Sequence, residues 1–294
     1  MPSGEESLRL AVLMTCHNRV EETTACLEAV RRQESSGCSM ELVLTDDGST
    51  DGTDQAVLNI FPEAIIIKGD GSLYWCGGMR TAFARAMQDD FDFFLWLNDD
   101  TQLDKDAIAR MCQTYRDASP KLGKALIVVG STREQNSESM SYGGWRLSKG
   151  RHFSISWDKI LPDQEEWLSC DAMNGNCVLI SRAVVDSVGN LDCNFTHGMG
   201  DLDYGMRAKT NGCEIVISPG YCGVCVANDG AGLWTDETLP LFERWKRLLG
   251  PKGLPLKEWQ VFTRRHAGKL WVLNWLGPYI KFWLKAAAHG LRLK

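Results

Sequence analysis

Two stretches of the chain pair acids in a way that could do chemistry. "LWLNDD" (95–100) ends an apolar run in Asn98, Asp99 and Asp100, and "GDLDYGMR" (200–207) sets Asp201 and Asp203 two residues apart. Carboxylates at a strand end suit Mg2+ or Mn2+, which keep waters and bridge to substrate phosphates. In extended backbone Asn98 and Asp100, at i and i+2, would face the same side. The same acids would serve equally well in a turn that caps the next helix. Asp203 and Arg207, four apart, predict an ion pair on one helix face, and Asp201 is placed to cap that helix. A third acidic cluster, "TDDGSTDGT" (45–53), reads either as a carboxylate for a base N–H or ribose hydroxyl or as a capped helix start.

These residues need a scaffold, and the patterning supplies one. Short apolar runs at 8–16, 40–47, 64–68 and 91–97 read as strands buried on both faces. Between them, 20–33, 48–60 (after a turn), 77–88 and 103–115 read as helices. Asn18 or a neighbour is the expected cap of the first, and the third opens on a Gly-rich turn. Alternation at this spacing predicts an α/β fold, a mostly parallel central sheet with helices on both faces. Ligands then bind at the carboxyl edge, where "TCHNR", "TDDGSTD" and "NDDT" all fall. Beyond residue 120 the alternation weakens. A strand at 125–130, hairpins and loops over 131–169, a strand and helix over 176–188, a helix at 202–212 and a strand at 213–220 are expected.

The 294 residues, 44% hydrophobic, suffice for one large domain with an appendage. The polar start "MPSGEESLRL" predicts no signal or transit peptide, and no apolar run is long enough for a transmembrane helix. Eleven scattered cysteines, an odd number, predict a reduced, cytoplasmic protein. "CGVC" (222–225) alone has close metal or redox spacing; without a second pair it reads as a strand or turn. No G-x-G-x-x-G follows the first strand and no G-x-x-x-x-G-K-[ST] occurs, which disfavours dinucleotide oxidoreductases and P-loop NTPases. Charge is uneven. Residues 243–294 hold twelve Lys and Arg against two Glu, a net +10, leaving −16 on residues 1–242. A basic tail on an acidic body points to an anionic partner; with no nucleic-acid motif, nucleotide phosphate or anionic lipid is favoured over nucleic acid. Within the tail, "LWVLNWLGPYIKFWLK" (270–285) is too short and interrupted to span a bilayer. It fits an interfacial helix pair on anionic lipid, or an aromatic face packed on the catalytic domain or on a second subunit of a homodimer.

The ordered set "TCHNR", "LVLTDDGSTDGT", "GDGSLYWCGGMRTAF", "FFLWLNDDT" and "FTHGMGDLDYGMRAKTNG" resembles glycosyltransferase family 2 over residues 8–220, and more narrowly the rhamnosyltransferase-like bacterial enzymes of surface polysaccharide synthesis. The resemblance implies the GT-A fold and inverting transfer. "NDD" stands where the family has its D-x-D motif, so Asp100 is the implied metal ligand and Asp99 its partner toward sugar or metal. Asp46 matches the base- or ribose-binding acid, and Thr15, His17, Asn18 and Arg19 the loop along the base. Gly77 and Gly78 would let backbone approach the donor diphosphate, with Arg80 adding charge. The family usually shows Glu-Asp where this chain has Gly200-Asp201, which makes Asp201 the implied catalytic base. In many GT-A enzymes a late His or basic residue reaches the metal or diphosphate, a role for which the tail offers His266, Arg264 and Arg265; a surface histidine is the alternative reading of His266.

The expected organisation is a catalytic domain over 1–235, its donor half 1–120 and acceptor half 121–235, followed by a helical appendage over 236–294. The expected activity is Mn2+- or Mg2+-dependent transfer from a UDP- or dTDP-linked sugar to a hydroxyl of a glycan or lipid-linked glycan. The expected location is cytoplasmic, peripheral on the inner face of the membrane. A sugar-nucleotide pyrophosphorylase is the rival, weakened because "TCHNR" lacks glycine. An inactive scaffold is the other, kept open by Asn98 and Gly200.

Overall fold

The computed structural model describes residues 8–34, 37–149, 155–227 and 232–292. The polar start of the chain (1–7) and Lys294 of the basic tail lie outside them. The first half runs β1 (Leu8–Cys16), α1 (Val20–Arg31), β2 (Cys38–Asp46), α2 (Thr53–Ile60), β3 (Ile65–Lys68), α3 (Tyr74–Ala86), β4 (Phe93–Leu97), β5 (Gln102–Leu103) and α4 (Ala107–Leu122). Then come β6 (Leu126–Arg133), β7 (Met140–Tyr142), β8 (Gly144–Lys149), β9 (Ile155–Lys159), β10 (Leu168–Ser169), β11 (Ala172–Met173), β12 (Cys177–Ser181), α5 (Arg182–Val188), α6 (Gly200–Thr210) and β13 (Glu214–Val224). Three helices close the chain: α7 (Leu241–Leu248), α8 (Leu256–His266) and α9 (Trp271–Arg292).

The strands are apolar on both faces because both faces are covered. Alternate residues sort into two cores. Ala11, Leu13, Phe94, Trp96, Val178 and Ile180 pack with α3, α5 and α6. Leu10, Val12, Phe93, Leu95, Leu97 and Leu179 pack with α1, α2 and α4. This is the period-two consequence of a strand sandwiched between helix layers.

The main sheet has the order β10-β13-β6-β12-β4-β1-β2-β3, with β5 and β7 attached at β13 and β6. β1 runs parallel to β2 and β4, and β2 to β3. β12 enters antiparallel to both β4 and β6, and β13 runs parallel to β6. The long strands are therefore parallel except for β12, reversed in the middle, and the short β5, β7 and β10 pair antiparallel at the margins. That reversal has a functional consequence: Cys177 pairs with Leu97, so the residues before β12 arrive at the edge where β4 ends. The carboxyl ends of β1, β2, β4 and β13 and the amino end of β12 share that edge. A second sheet, β11-β8-β9, covers the hairpin region.

Several local expectations shift. The helix expected at 77–88 begins at Tyr74, so Gly77 and Gly78 lie inside it and are buried, not at its open end. The first helix is not capped by Asn18; the Val20 N–H donates to Asp51 at 3.0 Å, across from the β2 loop. The last strand of the sheet extends through Val224 and carries Cys222.

The C-terminal helices have their own small core of Leu248, Tyr279 and Phe282, joined by Trp245, Trp259 and Trp275. The Tyr279 hydroxyl donates to the Leu254 carbonyl (2.7 Å), and the Trp275 indole to that of Leu256 (3.0 Å).

Candidate active site

At the carboxyl edge the chain leaves β4 directly into a turn, with the Thr101 N–H donating to the Asn98 carbonyl. The extended i, i+2 geometry anticipated for Asn98 and Asp100 therefore does not hold, because the strand ends at Leu97. The turn brings Asp99 and Asp100 to one cation, Arg19, which approaches Asp99 at 3.5 Å and Asp100 at 3.0 Å. Arg19, anticipated along a nucleotide base, thus stands at the acid pair. Asn98 is engaged elsewhere: its Oδ1 accepts the Trp75 indole N–H at 2.7 Å. Burial pushes the Asp99 carboxyl up to about 7, opposed by Arg19 and reinforced by Asp100.

The raised value has a testable sign. Between about pH 4 and about pH 7 the folded protein retains a proton on Asp99 that the unfolded chain has released, so stability from this group is lost as pH rises through that window. Asp99→Asn stays neutral throughout. Metal-free wild type is expected to melt progressively lower than Asp99→Asn as the pH is raised from about 5 to about 8. Parallel melting curves would refute the shift.

The two preceding loops are welded together. The His17 ring Nδ1 lies 2.5 Å from the Asp47 carbonyl, and Asn18 Oδ1 accepts the Thr50 N–H at 2.8 Å. Asp46 is fully buried and is held by Lys68 Nζ at 2.8 Å and the Ser49 N–H at 2.9 Å. Burial alone would raise its pKa; Lys68 and Ser49 outweigh it and keep Asp46 below the usual carboxylate range. A nucleoside reaching Asp46 would share or displace Lys68. Asp47 accepts the N–H groups of Gly71, Leu73 and Tyr74 (2.8, 2.9 and 3.1 Å) and so starts α3.

The glycine pair of α3 has a packing reason. A Cβ on Gly78 would stand 2.0 Å from Thr15 Oγ1, so α3 can approach β1 this closely only without a side chain there. Arg80 turns to the 192–195 loop, donating to the carbonyls of Phe195 (3.2 Å) and Asp192 (3.4 Å). Neither arrangement presents the Gly77-Gly78 backbone as the open helix start anticipated for a diphosphate.

Asp201 occupies the first turn of α6, where Met199 is the N-cap residue. Its Oδ2 accepts the Gly175 N–H at 3.0 Å and its Oδ1 that of Leu202 at 2.8 Å. The carboxylate therefore faces the loop before β12 and is not the helix cap. Burial holds its pKa above the usual range despite these donors. Gly175 fits between Trp75 and Asp201: a Cβ there would meet the Trp75 ring at 2.5 Å and Asp201 Cβ at 3.3 Å. One indole thus links the two loops, bonding Asn98 and abutting Gly175, which holds Asp201. At Gly200 a Cβ would stand 2.4 Å from Cys76 Sγ, so this fold has no room for a glutamate there.

His266 is engaged away from the acid turn. Its Nε2 lies 2.8 Å from Asp203, which also takes Arg265 at 2.6 Å and Arg207 at 2.8 Å. The anticipated Asp203–Arg207 pair is present, enlarged by α8. Asp203 is fully buried; its three basic partners overcome burial and keep its pKa low. Its removal would strand Arg207 and His266 inside, a loss of about 3–5 kcal/mol for a broken buried pair. Asp203→Ala is expected to show this in urea unfolding; a loss below about 1 kcal/mol, the scale of an exposed pair, would contradict the hub.

Sequence reasoning missed three members of the site: Trp75 as the bridge, Asn176, and Cys225. The Cys225 thiol lies 3.4 Å from Asp100 Oδ1, and the Asn176 amide 3.5 Å from that sulfur. "CGVC" singled out Cys225, but its place beside Asp100 depends on sheet order.

Among the described residues no three His, Cys, Asp or Glu side chains form a ready metal-binding group. Asp99 and Asp100 nevertheless fit a divalent ion that draws its remaining ligands from phosphate and water. They are hard oxygen donors, and they set two acids against the single guanidinium of Arg19.

Three solved structures share the architecture. They are the mannosyltransferase PcManGT from Pyrobaculum calidifontis in complex with GDP-Man and Mn2+ (TM-score 0.55, 14% identity, 88% of this chain and 65% of that one), GalNAc-T7 with UDP, GalNAc and Mn2+ (0.57, 15%, 81% and 52%), and S. aureus TarS (0.56, 12%, 94% and 49%). The chain thus spans 49% to 65% of their lengths, and at these identities the likeness shows the fold. No curated protein matches in sequence. The model of "Glycosyl transferase family 2" matches residues 11–188, from the strand that begins the acid edge to the end of α5. With the fold of GT-A glycosyltransferases and that match over more than half its length, the chain belongs to glycosyltransferase family 2.

Proposed function

We propose that the protein transfers a sugar, with inversion, from a UDP- or dTDP-linked donor to a hydroxyl of a glycan or lipid-linked glycan in bacterial surface polysaccharide synthesis. The observation that carries the reading is the shared edge: Trp75 bonds Asn98 of the acid turn and its ring abuts Gly175, whose N–H donates to Asp201. The nucleotides GDP-Man and UDP and the Mn2+ in two structural neighbours support a nucleotide-sugar donor and a metal; the UDP- or dTDP-linked class is the proposal's own.

Asp99 and Asp100 would hold Mn2+ or Mg2+, which supplies positive charge to the departing diphosphate. Asp201, fixed by Gly175 and Leu202, takes the proton of the acceptor hydroxyl. The acceptor oxygen bonds to the anomeric carbon as the bond from that carbon to the diphosphate oxygen breaks, and the proton passes later from Asp201 to solvent. Its raised pKa makes Asp201 a stronger base than an exposed aspartate. Trp75 and the Gly175 loop exclude water from its flank.

A melting panel with UDP-, dTDP- and GDP-sugars in Mn2+ tests the donor. A ligand at a hundred times its Kd stabilises the folded state by about 2.7 kcal/mol, so one nucleotide class is expected to raise Tm and to release nucleotide on addition of acceptor. If no class shifts Tm and none is turned over, the transferase reading fails.

A further inference from the structure

The final helix buries one apolar stripe and exposes another. Trp275, Tyr279 and Phe282 of α9 turn inward against Trp245 and Leu248. On a different face, Leu273, Leu276, Ile280 and Leu284 recur at three- and four-residue spacing and remain exposed, Leu273 at 63% and Leu284 at 66%, and Trp283 borders them, half-exposed with its ring also against Trp245. Phe242, at the start of α7, is 77% exposed. Single exposed apolar residues are ordinary, but a contiguous row marks an interaction site. Between α7 and α9 runs a groove of 1200 Å³ whose walls include Leu241, Leu273 and Phe282 together with the cations Arg244, Lys281 and Lys285.

We propose that this face docks on an anionic lipid bilayer. The helix α9 lies in the plane of the leaflet, with Leu273, Leu276, Ile280, Trp283 and Leu284 in the acyl boundary and Arg244, Lys281 and Lys285 at lipid phosphates. Charge selects this occupant. Residues 243–294 carry +10, so a two-fold pairing of copies through this face would bring two strongly basic segments together, whereas anionic headgroups neutralise them. Among the described residues no helix is long and apolar enough to cross a membrane. An apolar stripe flanked by lysines on such a helix is the pattern of an in-plane anchor. Arg265 and His266 tie α8 to Asp203 on α6, the helix of Asp201, so docking would hold the catalytic edge near the leaflet. The inference goes beyond the transferase reading and does not depend on it.

Co-sedimentation of the full chain with phosphatidylcholine vesicles, alone or mixed with phosphatidylglycerol, tests it. Wild type is expected to bind the mixed vesicles at low salt, to bind the neutral ones poorly, and to lose binding at high salt. Lys281→Ala with Lys285→Ala should bind about thirtyfold more weakly, since each lipid-facing cation contributes about fivefold. Ile280→Glu with Leu284→Glu should not bind, and both variants should melt like wild type because all four side chains are exposed. If the glutamate variant melts lower, the lysine variant decides. Failure of wild type to bind, equal binding to both vesicle types, or undiminished binding by the lysine variant overturns the proposal. So does a wild-type dimer that the glutamate variant converts to monomer, since a second copy would then cover the face.

Discussion

Asp201→Asn is expected to slow transfer by roughly a hundredfold or more, the usual scale for loss of a general base, while leaving donor affinity nearly unchanged. An amide keeps the size of the carboxylate, and its oxygen can still accept the Gly175 N–H that fixes the loop before β12; its NH2 group then faces the Leu202 N–H, so the melting temperature is expected to fall modestly. It cannot take a proton. A sugar hydroxyl is a poor nucleophile at neutral pH, so the loss should appear in kcat. The measurement is kcat for transfer beside a donor Kd on the same sample. Asp203→Asn is the control: Asp203 is buried among Arg207, Arg265 and His266, so its loss should act on stability. Near wild-type turnover by Asp201→Asn, with a collapse in a still-folded Asp203→Asn, would move the base to the second aspartate.

Asp100→Ala is expected to abolish transfer and to remove the Mn2+ dependence of nucleotide binding, with the fold retained. The side chain is partly exposed, at 28%, and Arg19 keeps a second partner in Asp99. What is lost is half of the acid pair, and with it one of the two carboxylates that would hold a divalent ion. Calorimetric titration of nucleotide with and without Mn2+ reads the effect directly. Unchanged metal-dependent affinity would remove Asp100 from the metal and leave it as a partner for Arg19 and Cys225.

The two aspartates illustrate how far local pattern reaches. The polar clusters at 15–19, 45–53 and 95–101 were legible as strand-end features because a strand buried on both faces must be apolar, and its first polar residues mark where it emerges. Alternation with helices then makes neighbouring strands parallel and brings their carboxyl ends to one edge. The i, i+4 pair Asp203–Arg207 was legible because its geometry lies within one helix. Even locally there were limits. Nothing near Gly78 in sequence shows that its missing side chain makes room for Thr15, so the glycine pair was read as a phosphate approach.

The sequence by itself determined the α/β class, the edge at which the acids gather and the basic, aromatic character of the tail. Each follows from periodicity and composition, properties of residues and their near neighbours. Only the tertiary structure decided which side chains meet there. The reversed strand β12 carries Gly175 to Asp201 and Asn176 to Cys225, and the order of β13 in the sheet sets Cys225 against Asp100 from 125 residues away. The docking of α8 turns His266, 63 residues beyond Asp203, onto that buried acid and away from the Asp99–Asp100 turn. These contacts depend on strand order and helix packing, which the burial of whole faces selects; no spacing along the chain encodes them.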